Sequence, residues 1–350
     1  MLNIGYVGFG KSTNRYHLPY IKQRLDRISV KRIYARHLGK RPEDEAFWSK
    51  QGTKFSEDFD DVLEDESLDL VVVVTPAPSH FTMVKQLLEH GHNVLVDKPM
   101  TNTLAEAEEL VALARERQLF VMPFQNRRFD SDFLTLKQVL AAGYVGRPID
   151  LEVHMDHYRP NDGGVTGDPM NGDWYGHGVH LVDQMISLFG VPNQANFDVR
   201  STRELGDYID DQFEAQLFYP DAFKATVQAT ESAAVAYPKW VLHGTKGTYI
   251  KHNIDQQEYD LKTGIMPGSP NFGLDAPQDY GQVVYYNQNG DRIEKTIPSL
   301  PGDYGGVYDA VYETLVNGSE KLVSDTEMLG VIKVLEAGLA DSEPHTTKFN

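Results

Sequence analysis

The sequence predicts an α/β protein of two domains: residues 1–123 form a parallel sheet covered by helices on both faces, and residues 124–350 form an α+β domain. The first observation is that apolar runs alternate with segments of helical period throughout residues 1–123. The second is that strand patterns dominate after Phe124, which indicates a mostly antiparallel sheet. The third is the length of 350 residues, which at about 150 residues per domain corresponds to two domains.

The strands of the first domain are continuous apolar runs, as expected for parallel strands that are buried on both faces. They are predicted at Leu2–Val7, Ile28–Ala35, Leu68–Thr75, Asn93–Val96 and Phe120–Pro123. The predicted helices are one that places Leu18, Ile21 and Leu25 on one face, then Ser56–Glu66, Ser79–Glu89 and Thr103–Arg117. Thr103 is suited to cap the last helix, because its hydroxyl can accept a hydrogen bond from a backbone N–H that the helix leaves free.

The second domain opens with one amphipathic helix, Asp132–Ala142, which Gly143 ends. Strands are predicted at Ile149–Tyr158, Asn196–Arg200, Asp211–Tyr219, Phe223–Ser232 and Trp240–Gly244. The other predicted helices are Gly178–Phe189, Gly306–Val316 and Thr326–Leu339. Residues 251–302 are rich in Gly, Pro and Asn and have the least regular pattern.

The composition excludes several classes of function. The formal charge is −18, so nucleic acid and anionic lipid, which need clustered cations, are not expected as partners. The chain has no cysteine and therefore no disulfide framework, thiolate zinc site or cysteine nucleophile. No apolar run is long enough to span a bilayer and no secretory signal is visible, so we expect a cytoplasmic enzyme with no membrane partner.

The turn after the first predicted strand has the pattern of a dinucleotide-binding turn. Gly8 would allow a tight turn, and Gly10 would allow the backbone to approach a pyrophosphate. The third glycine of the usual fingerprint is replaced by Thr13, although hydroxyl groups here can also face a phosphate. Glycines also occur in ordinary turns, but the position after the first strand of an alternating pattern favours a cofactor site. The candidate cofactor-binding residues of this turn are Gly8, Gly10, Lys11, Ser12 and Thr13.

Basic residues after the second predicted strand favour NADP(H) over NAD(H). An NAD site usually presents an acidic residue there to bind the ribose 2′-hydroxyl, whereas an NADP site tends to present arginine. This chain has Arg36 and His37, followed by Lys40 and Arg41, with no acid before Glu43. The alternative is a solvated basic loop. We expect Arg36 and His37 to contact the cofactor.

Two motifs carry the candidate catalytic residues. Lys98 follows the predicted strand Asn93–Val96, at the edge of the sheet where open α/β folds bind their ligands. His180 and Asp183 stand about one helical turn apart, so their side chains share a face. A neutral imidazole such as His180 is suited to accept the proton of an alcohol.

The same helical region offers a metal site as an alternative. Its four candidate ligands are Asp173, His177, His180 and Asp183. Polar residues at helical spacing more often form a solvated or hydrogen-bonded face, so we expect no metal.

Several motifs, in their order along the chain, resemble the Gfo/Idh/MocA oxidoreductases, the family of glucose–fructose oxidoreductase and inositol dehydrogenase. They are Thr75-Pro76 with His80, the run from Asn93 to Asp97-Lys98-Pro99, and Gly178-Val-His180-x-x-Asp183. Three later segments resemble a narrower branch near the NADP-dependent scyllo-inositol dehydrogenases: Asn126–Asp130, Ile254–Glu258 and Met266–Gly268.

The resemblance implies a Rossmann domain, a substrate domain with an open-faced sheet, and a homodimer or homotetramer built through that sheet. It implies hydride exchange between a nicotinamide and a secondary hydroxyl or ketone of a sugar, polyol or inositol-like substrate. Lys98 would be the central catalytic residue, with His180 beside it and Asp183 holding a substrate hydroxyl. Other substrate contacts are implied for Tyr158, Arg159, Tyr175 and Tyr237. Cofactor contacts are implied for Thr75, Pro76, His80, Asp97, Lys98 and Asn126.

Three positions depart from the pattern of the family. The usual Glu before Lys98 is Asp97, the Asn often found two residues after Thr75 is Ala77, and the Asp usually four residues before the histidine is Gly176. That Asp belongs to the family's catalytic set, so another group would have to substitute for it.

The residues that could substitute are Tyr175, His177 and Asp173. From the basic residues after the second strand and the resemblance to the family, we predict an NADP-dependent oxidoreductase. The alternative is a non-catalytic NADP(H)-binding regulatory or sensor protein of the same fold, which the missing carboxylate favours and the retained Lys98, His180 and Asp183 disfavour.

Overall fold

A computed structural model describes residues 1–159, 169–202 and 209–342. The chain forms two compact units. The first comprises Met1–Asn126, Gly264–Pro270 and Tyr304–Ile332; the second comprises Arg127–Thr263, Asn271–Asp303 and Lys333–Asn350, each as far as it is described. The predicted domain limits, 1–123 and 124–350, stay a prediction. Sequence periodicity did not indicate that two later stretches pack with the first unit.

The described strands, in chain order, are β1 Leu2–Val7, β2 Ile28–Tyr34, β3 Lys54–Ser56, β4 Leu70–Val73, β5 Val94–Val96, β6 Val121–Pro123, β7 Pro148–His154, β8 Gln194–Arg200, β9 Gln212–Tyr219, β10 Phe223–Thr230, β11 Trp240–Gly244, β12 Gly247–Lys251, β13 Gly281–Tyr286 and β14 Arg292–Ile297. The described α-helices are Leu18–Ile21, Pro42–Lys50, Asp60–Leu63, His80–Glu89, Leu104–Arg117, Ser131–Ala141, Val179–Phe189, Gln256–Thr263, Gly306–Asn317 and Asp325–Ala340. Two π-helical turns, Thr13–His17 and Trp174–Gly178, directly precede α-helices.

The first unit is built on a parallel sheet, which confirms the predicted fold class. Among the described residues its strand order is β3-β2-β1-β4-β5-β6. The side chains of β4 are wholly buried, as the unbroken apolar run Leu70–Val73 predicts. The strand order reverses between β1 and β4, and ligands of such open sheets bind at the carboxyl ends of the strands near this point. The turns after β1, β2, β4 and β5 therefore carry most of the candidate cofactor residues.

Within the first unit, the late stretch 304–332 makes close contacts with the N-terminal part of the chain. Nε and Nη2 of Arg24 donate to the two carboxylate oxygens of Asp309 at 2.6 and 2.7 Å. The rings of Tyr20 and Tyr304 lie 5.6 Å apart. A Cβ atom on Gly305 would lie 2.1 Å from Nη1 of Arg24, so a glycine lets the chain approach the guanidinium. These residues are about 285 positions apart in sequence, beyond the reach of a periodicity argument.

The second unit is built on a mostly antiparallel sheet, as predicted. Among the described residues its order is β14-β13-β12-β11-β7-β10-β9-β8, and β7 with β10 is the parallel pair. Alternate side chains of β7, β9 and β10 are buried, for example Leu151, Phe213 and Ala225. Within the described part of the chain, no helix combines the length and apolar character needed to cross a membrane.

Several predicted elements were wrong in extent. The predicted helix Ser56–Glu66 is only Asp60–Leu63, because Ser56 ends the short edge strand β3. The predicted helix through Leu25 stops at Ile21. The helices Pro42–Lys50 and Gln256–Thr263 and the strands β12, β13 and β14 were missed. The three strands were missed because many of their side chains are half exposed or exposed, so they show little apolar periodicity, and the turns around them contain Gly, Asn and Pro.

Candidate functional site

The turn after β1 requires glycine at one position and leaves open space at another. Gly8 has a φ of +111°, and a Cβ there would lie 2.2 Å from the carbonyl oxygen of Val74. A Cβ on Gly10 would meet nothing within 4 Å. The backbone therefore turns tightly at Gly8 and is open to a ligand at Gly10, which fits the approach of a pyrophosphate.

The side chains that follow Gly10 have partners within the first unit. Thr13 is buried, and its Oγ1 donates to the carbonyl oxygen of Gly8 at 2.9 Å. Oγ of Ser12 donates to Oδ2 of Asp97 at 2.9 Å. Lys11 is exposed. Thr13 thus closes the turn from inside, and the phosphate contacts of Lys11, Ser12 and Thr13 stay predictions.

A cavity of about 610 Å³, here the nucleotide cavity, opens beside this turn. It brings together six of the predicted cofactor residues, namely Gly8, Gly10, Arg36, His37, Thr75 and Pro76. Lys40, Ser79 and Met83 also line it. None of the described residues that line it is acidic, and Arg36, His37 and Lys40 give it a basic side. Its size and charge fit a phosphorylated nucleotide.

The predicted cofactor residue His80 is buried and bonded to two turns. Its Nδ1 lies 2.7 Å from the carbonyl oxygen of Pro99, and its Nε2 lies 2.8 Å from that of Thr75. His80 thus connects the turn after β4 to the turn that carries Lys98. Its contact with a cofactor stays a prediction.

Asp97 organises the turn after β5. One carboxylate oxygen accepts the backbone N–H of Lys98 at 2.8 Å, and the other accepts the hydroxyl of Ser12. Burial alone would raise the pKa of Asp97, but the His17 ring and the charges of Lys98 and His80 outweigh it and hold the pKa below its usual range. The Asp97 carboxylate is therefore a fixed negative charge beside Lys98. Asn126, the other predicted cofactor residue, is buried at the end of this stretch of the first unit.

In the second unit, His180 and Asp183 lie on the helix Val179–Phe189 and are both buried. The carboxylate oxygens of Asp183 accept Nε and Nη2 of Arg128 at 2.8 Å each, a bidentate pair. Sequence reasoning placed a substrate hydroxyl on Asp183 and missed Arg128 as its partner. That substrate contact stays a prediction.

The four residues of the possible metal site are not gathered around one point. Asp183 is paired with Arg128, while Nδ1 of His177 lies 2.6 Å from Oδ1 of Asp173. His177 also stacks on His157, with ring centroids 5.0 Å apart. Among the described residues, the group whose ligand atoms all lie within 4.8 Å of one another is His157, His177 and Glu231.

Glu231 in that group has another cationic partner. Its Oε1 accepts Nη1 of Arg159 at 3.0 Å. Burial, the largest cause, and the charges of His177 and Arg159 together lower the pKa of His157 to about 3. The group therefore has neutral His157 beside His177 and Glu231, which contact Asp173 and Arg159 respectively.

A second cavity, of about 360 Å³ and here called the second-unit cavity, lies next to this group. Tyr237, a predicted substrate contact, lines it and stacks on His154 with ring centroids 4.8 Å apart. The described lining also includes residues that the sequence did not single out, among them His154, Asp156, His157, Lys239, Glu258 and Tyr259. The apolar alternation of β7 marks its buried face, but nothing in that pattern shows that His154 and His157 reach a cavity.

The other predicted substrate residues do not line this cavity. Tyr158 is 62% exposed, Arg159 pairs with Glu231, and Tyr175 is 1% exposed. Gly176 lies in the π-helical turn Trp174–Gly178, and a Cβ there would meet nothing within 4 Å. The substrate contacts of Tyr158, Arg159 and Tyr175 stay predictions.

Comparison with known proteins places the chain among oxidoreductases. Two family models match it, "Oxidoreductase family, NAD-binding Rossmann fold" over residues 2–125 and "Oxidoreductase family, C-terminal alpha/beta domain" over residues 137–348. The uncharacterized oxidoreductase YhhX of Escherichia coli (strain K12) is 46% identical over 347 residues, which cover 99% of this chain and 98% of YhhX.

Two further relatives align with nearly the whole length of this chain. The NADP⁺-dependent scyllo-inositol 2-dehydrogenase IolW of Bacillus subtilis (strain 168) is 28% identical over 99% of this chain and 95% of its own. The crystal structure of an oxidoreductase from Bacillus cereus, 43% identical, superposes with a TM-score of 0.95 over 100% of this chain and 99% of that one. The chain therefore belongs to the Gfo/Idh/MocA family of oxidoreductases, with a Rossmann domain of the kind that binds a nicotinamide dinucleotide.

Proposed function

We propose that the protein is an NADP-dependent oxidoreductase that transfers a hydride between the nicotinamide and a secondary hydroxyl or ketone of a sugar, polyol or inositol-like substrate. The observation that carries the choice of cofactor is the basic side of the nucleotide cavity. Arg36, His37 and Lys40 line it, and none of its described lining residues is acidic. A carboxylate would be needed to bind a free ribose 2′-hydroxyl and would repel a 2′-phosphate.

The charges around the second-unit cavity support an uncharged, hydroxyl-rich substrate. Glu258 is neutralised by Arg127 and Lys262, each at 2.9 Å. Burial, the largest cause, and nearby carboxylates raise the pKa of Asp255 well above its usual value, which favours its neutral form. The cavity thus offers many hydrogen-bonding groups with little unbalanced charge, as a polyol requires.

Tyrosine rings add an apolar contact to these polar groups. Tyr237 and Tyr259 both line the second-unit cavity and are 62% and 63% exposed. Such exposed rings can pack on the C–H face of a sugar or cyclitol while their hydroxyls stay in water. The name of IolW, a scyllo-inositol dehydrogenase, supports the same substrate class.

The bound cofactor would supply the hydride chemistry, and the protein would supply position and charge. Lys98, held by the Asp97 turn, would stabilise the negative charge that develops on the substrate oxygen. His180 would accept or return the proton of the substrate hydroxyl. We also propose that the protein acts in the cytoplasm. We further propose that it forms a homodimer or homotetramer, and light scattering would measure this oligomeric state.

The test is NADPH oxidation by the purified protein with a panel of ketoses and inosones, with NADH in parallel. We expect turnover of at least one substrate and faster turnover with NADPH at equal concentration. Equal rates with both cofactors would remove the proposed preference. Tight NADPH binding without turnover of any member of the panel would favour a regulatory or sensor protein instead.

A further inference from the structure

Three buried side chains of the first unit form a chain that ends on the carboxylate of Asp97, beside Lys98. The hydroxyls of Tyr6 and Tyr308 lie 2.8 Å apart, and the hydroxyl of Tyr308 lies 2.7 Å from Nδ1 of His17. Nε2 of His17 lies 3.9 Å from Oδ2 of Asp97. Tyr6, His17 and Tyr308 are each 0% exposed. Nothing in the proposed reaction explains three buried polar side chains at this place.

The direction of the hydrogen bonds follows from the negative charge at the end of the chain. Nε2 of His17 faces the Asp97 carboxylate at 3.9 Å, too far for a hydrogen bond, but the carboxylate charge favours a proton on Nε2 over a lone pair. If the ring has one proton, its Nδ1 is an acceptor and the hydroxyl of Tyr308 donates to it. The oxygen of Tyr308 then accepts the hydroxyl of Tyr6. Both hydroxyl protons have an acceptor in this arrangement, and the Nε2 proton faces the Asp97 carboxylate without a hydrogen bond to it.

The reverse direction leaves a buried proton without an acceptor. A doubly protonated His17 would donate from Nδ1 to Tyr308, which would then donate to Tyr6. Tyr308 is the hydrogen-bond partner that the structure gives to the Tyr6 hydroxyl, so within the described residues its proton would have no acceptor. Burial raises the pKa of both tyrosines above the usual value, so neither phenol gives up its proton.

We propose that His17 is a positioning residue for Lys98, which it reaches through Asp97, and that Tyr308 holds it in the Nε2–H form that this requires. The phenyl ring of Phe124, stacked on His17 at 4.0 Å, fixes the ring plane. The hydroxyl of Ser12, in the turn after β1, donates to the same oxygen, Oδ2 of Asp97, at 2.9 Å. Asp97 thus accepts hydrogen bonds from Ser12 and from the backbone N–H of Lys98, and the His17 ring faces it at ion-pair distance. The proposal rests on the proposed function in that Lys98 is taken to act at the reacting centre.

Two isosteric variants separate positioning from simple stability. Tyr308→Phe removes the donor to Nδ1 of His17, whereas Tyr6→Phe leaves that donor in place and removes only the far end of the chain. Both variants lose a buried hydroxyl bond, so both are expected to lower the melting temperature. We expect Tyr308→Phe to lower kcat about tenfold or more with KM and NADPH affinity nearly unchanged, because a small misplacement of a reacting group is costly. Tyr6→Phe should leave kcat within about twofold of the unmodified protein.

The ring protons of His17 give a readout that needs no substrate. In ¹⁵N-histidine-labelled full-length protein, two-dimensional spectra of the ring nitrogens distinguish the two neutral forms and the doubly protonated form. The signal of His17 is identified as the one that is missing in His17→Gln. If that variant does not fold, it is identified as the ring signal that moves in Tyr308→Phe. We expect the Nε2–H form in the unmodified protein and in Tyr6→Phe, and a lower share of it in Tyr308→Phe.

The outcomes that overturn the proposal are distinct from failure of the proposed function. An Nδ1–H or doubly protonated His17 in the unmodified protein would overturn it, as would equal kcat in Tyr308→Phe and Tyr6→Phe. If no substrate is turned over, the proposed function fails, and the ring spectra then decide the hydrogen-bond direction by themselves.

Discussion

The hydroxyl of Ser12 donates to Oδ2 of Asp97 at 2.9 Å, and this bond joins the turn after β1 to the turn after β5. Ser12 follows Gly10, which lines the nucleotide cavity, and Asp97 precedes Lys98. The two turns lie at the carboxyl ends of parallel strands, so a short side chain can connect them. One hydrogen bond therefore links the turn proposed to bind the phosphate to the turn that carries Lys98, the proposed catalytic lysine.

Arg36→Ala should weaken NADPH binding and leave NADH binding nearly unchanged. A hydrogen bond between charged groups contributes about 1.5–3 kcal/mol, so we expect a loss of about tenfold to hundredfold in NADPH affinity. Fluorescence titration with both cofactors measures this. Arg41→Ala is the matched control, because Arg41 belongs to the same basic stretch but does not line the nucleotide cavity. Equal affinity of the unmodified protein for NADPH and NADH would contradict the prediction.

Lys98→Met and His180→Ala should each lower kcat by about 10²–10⁴, the range of general acid–base groups. NADPH affinity should change little, because the phosphates are proposed to bind to other residues. His180→Ala should also flatten the neutral limb of the pH profile. Lys85→Met, which removes an exposed lysine paired with Glu109, is the control and should behave as the unmodified protein. Normal turnover by both catalytic variants on a confirmed substrate would disprove the assignment.

Gly176→Asp should fold and shift the pH profile. A Cβ at Gly176 meets nothing within 4 Å, and its backbone is outside the left-handed region, so a side chain is tolerated. A carboxylate one turn before His180 favours the imidazolium and raises the pKa of the imidazole. The neutral base is then available only at higher pH, so the neutral limb of kcat should move upward in pH.

Gly178→Ala is the matched control for tolerance of a side chain. A Cβ there would lie 2.6 Å from Cε3 of the buried Trp174. We therefore expect Gly178→Ala to lower the melting temperature, while Gly176→Asp leaves it nearly unchanged. Equal losses in the two variants would show that Gly176 is also constrained.

Exhaustive chelation should leave activity unchanged. The carboxylates near His157 and His177 already have partners, Asp173 with His177 and Glu231 with Arg159. Activity before and after treatment with a strong chelator, together with metal analysis of the purified protein, tests this. Stoichiometric zinc whose removal abolishes activity and whose return restores it would contradict the prediction.

The parts of the structure that the sequence predicted are those set by local chemistry. Thr103 caps the helix Leu104–Arg117 as expected, with Glu106 returning a second bond to form a capping box. The apolar strands β1, β4 and β5 and the glycine turn after β1 were also predicted, because each depends on neighbours in sequence. The residues that line the nucleotide cavity lie at or after the ends of β1, β2 and β4.

The parts that the sequence did not predict depend on residues that are far apart in the chain. Arg128 meets Asp183 across 55 positions, and Tyr308 meets His17 across 291. A buried arginine or tyrosine has no periodic signature that names its partner. The second-unit cavity was missed for the same reason, since β7, the approach to β11 and the helix Gln256–Thr263 all contribute to it.

The return of residues 304–332 to the first unit affects how the protein is made. The nucleotide-binding unit lacks Tyr304, Tyr308 and Asp309 until about seven-eighths of the chain has been synthesised, so the pair between Arg24 and Asp309 and the bond between His17 and Tyr308 form late. N-terminal domains generally fold first during synthesis. Here the earliest segment of the chain can finish folding only after one of the latest has left the ribosome, and a gene fragment cut at the end of the Rossmann region would encode an incomplete unit.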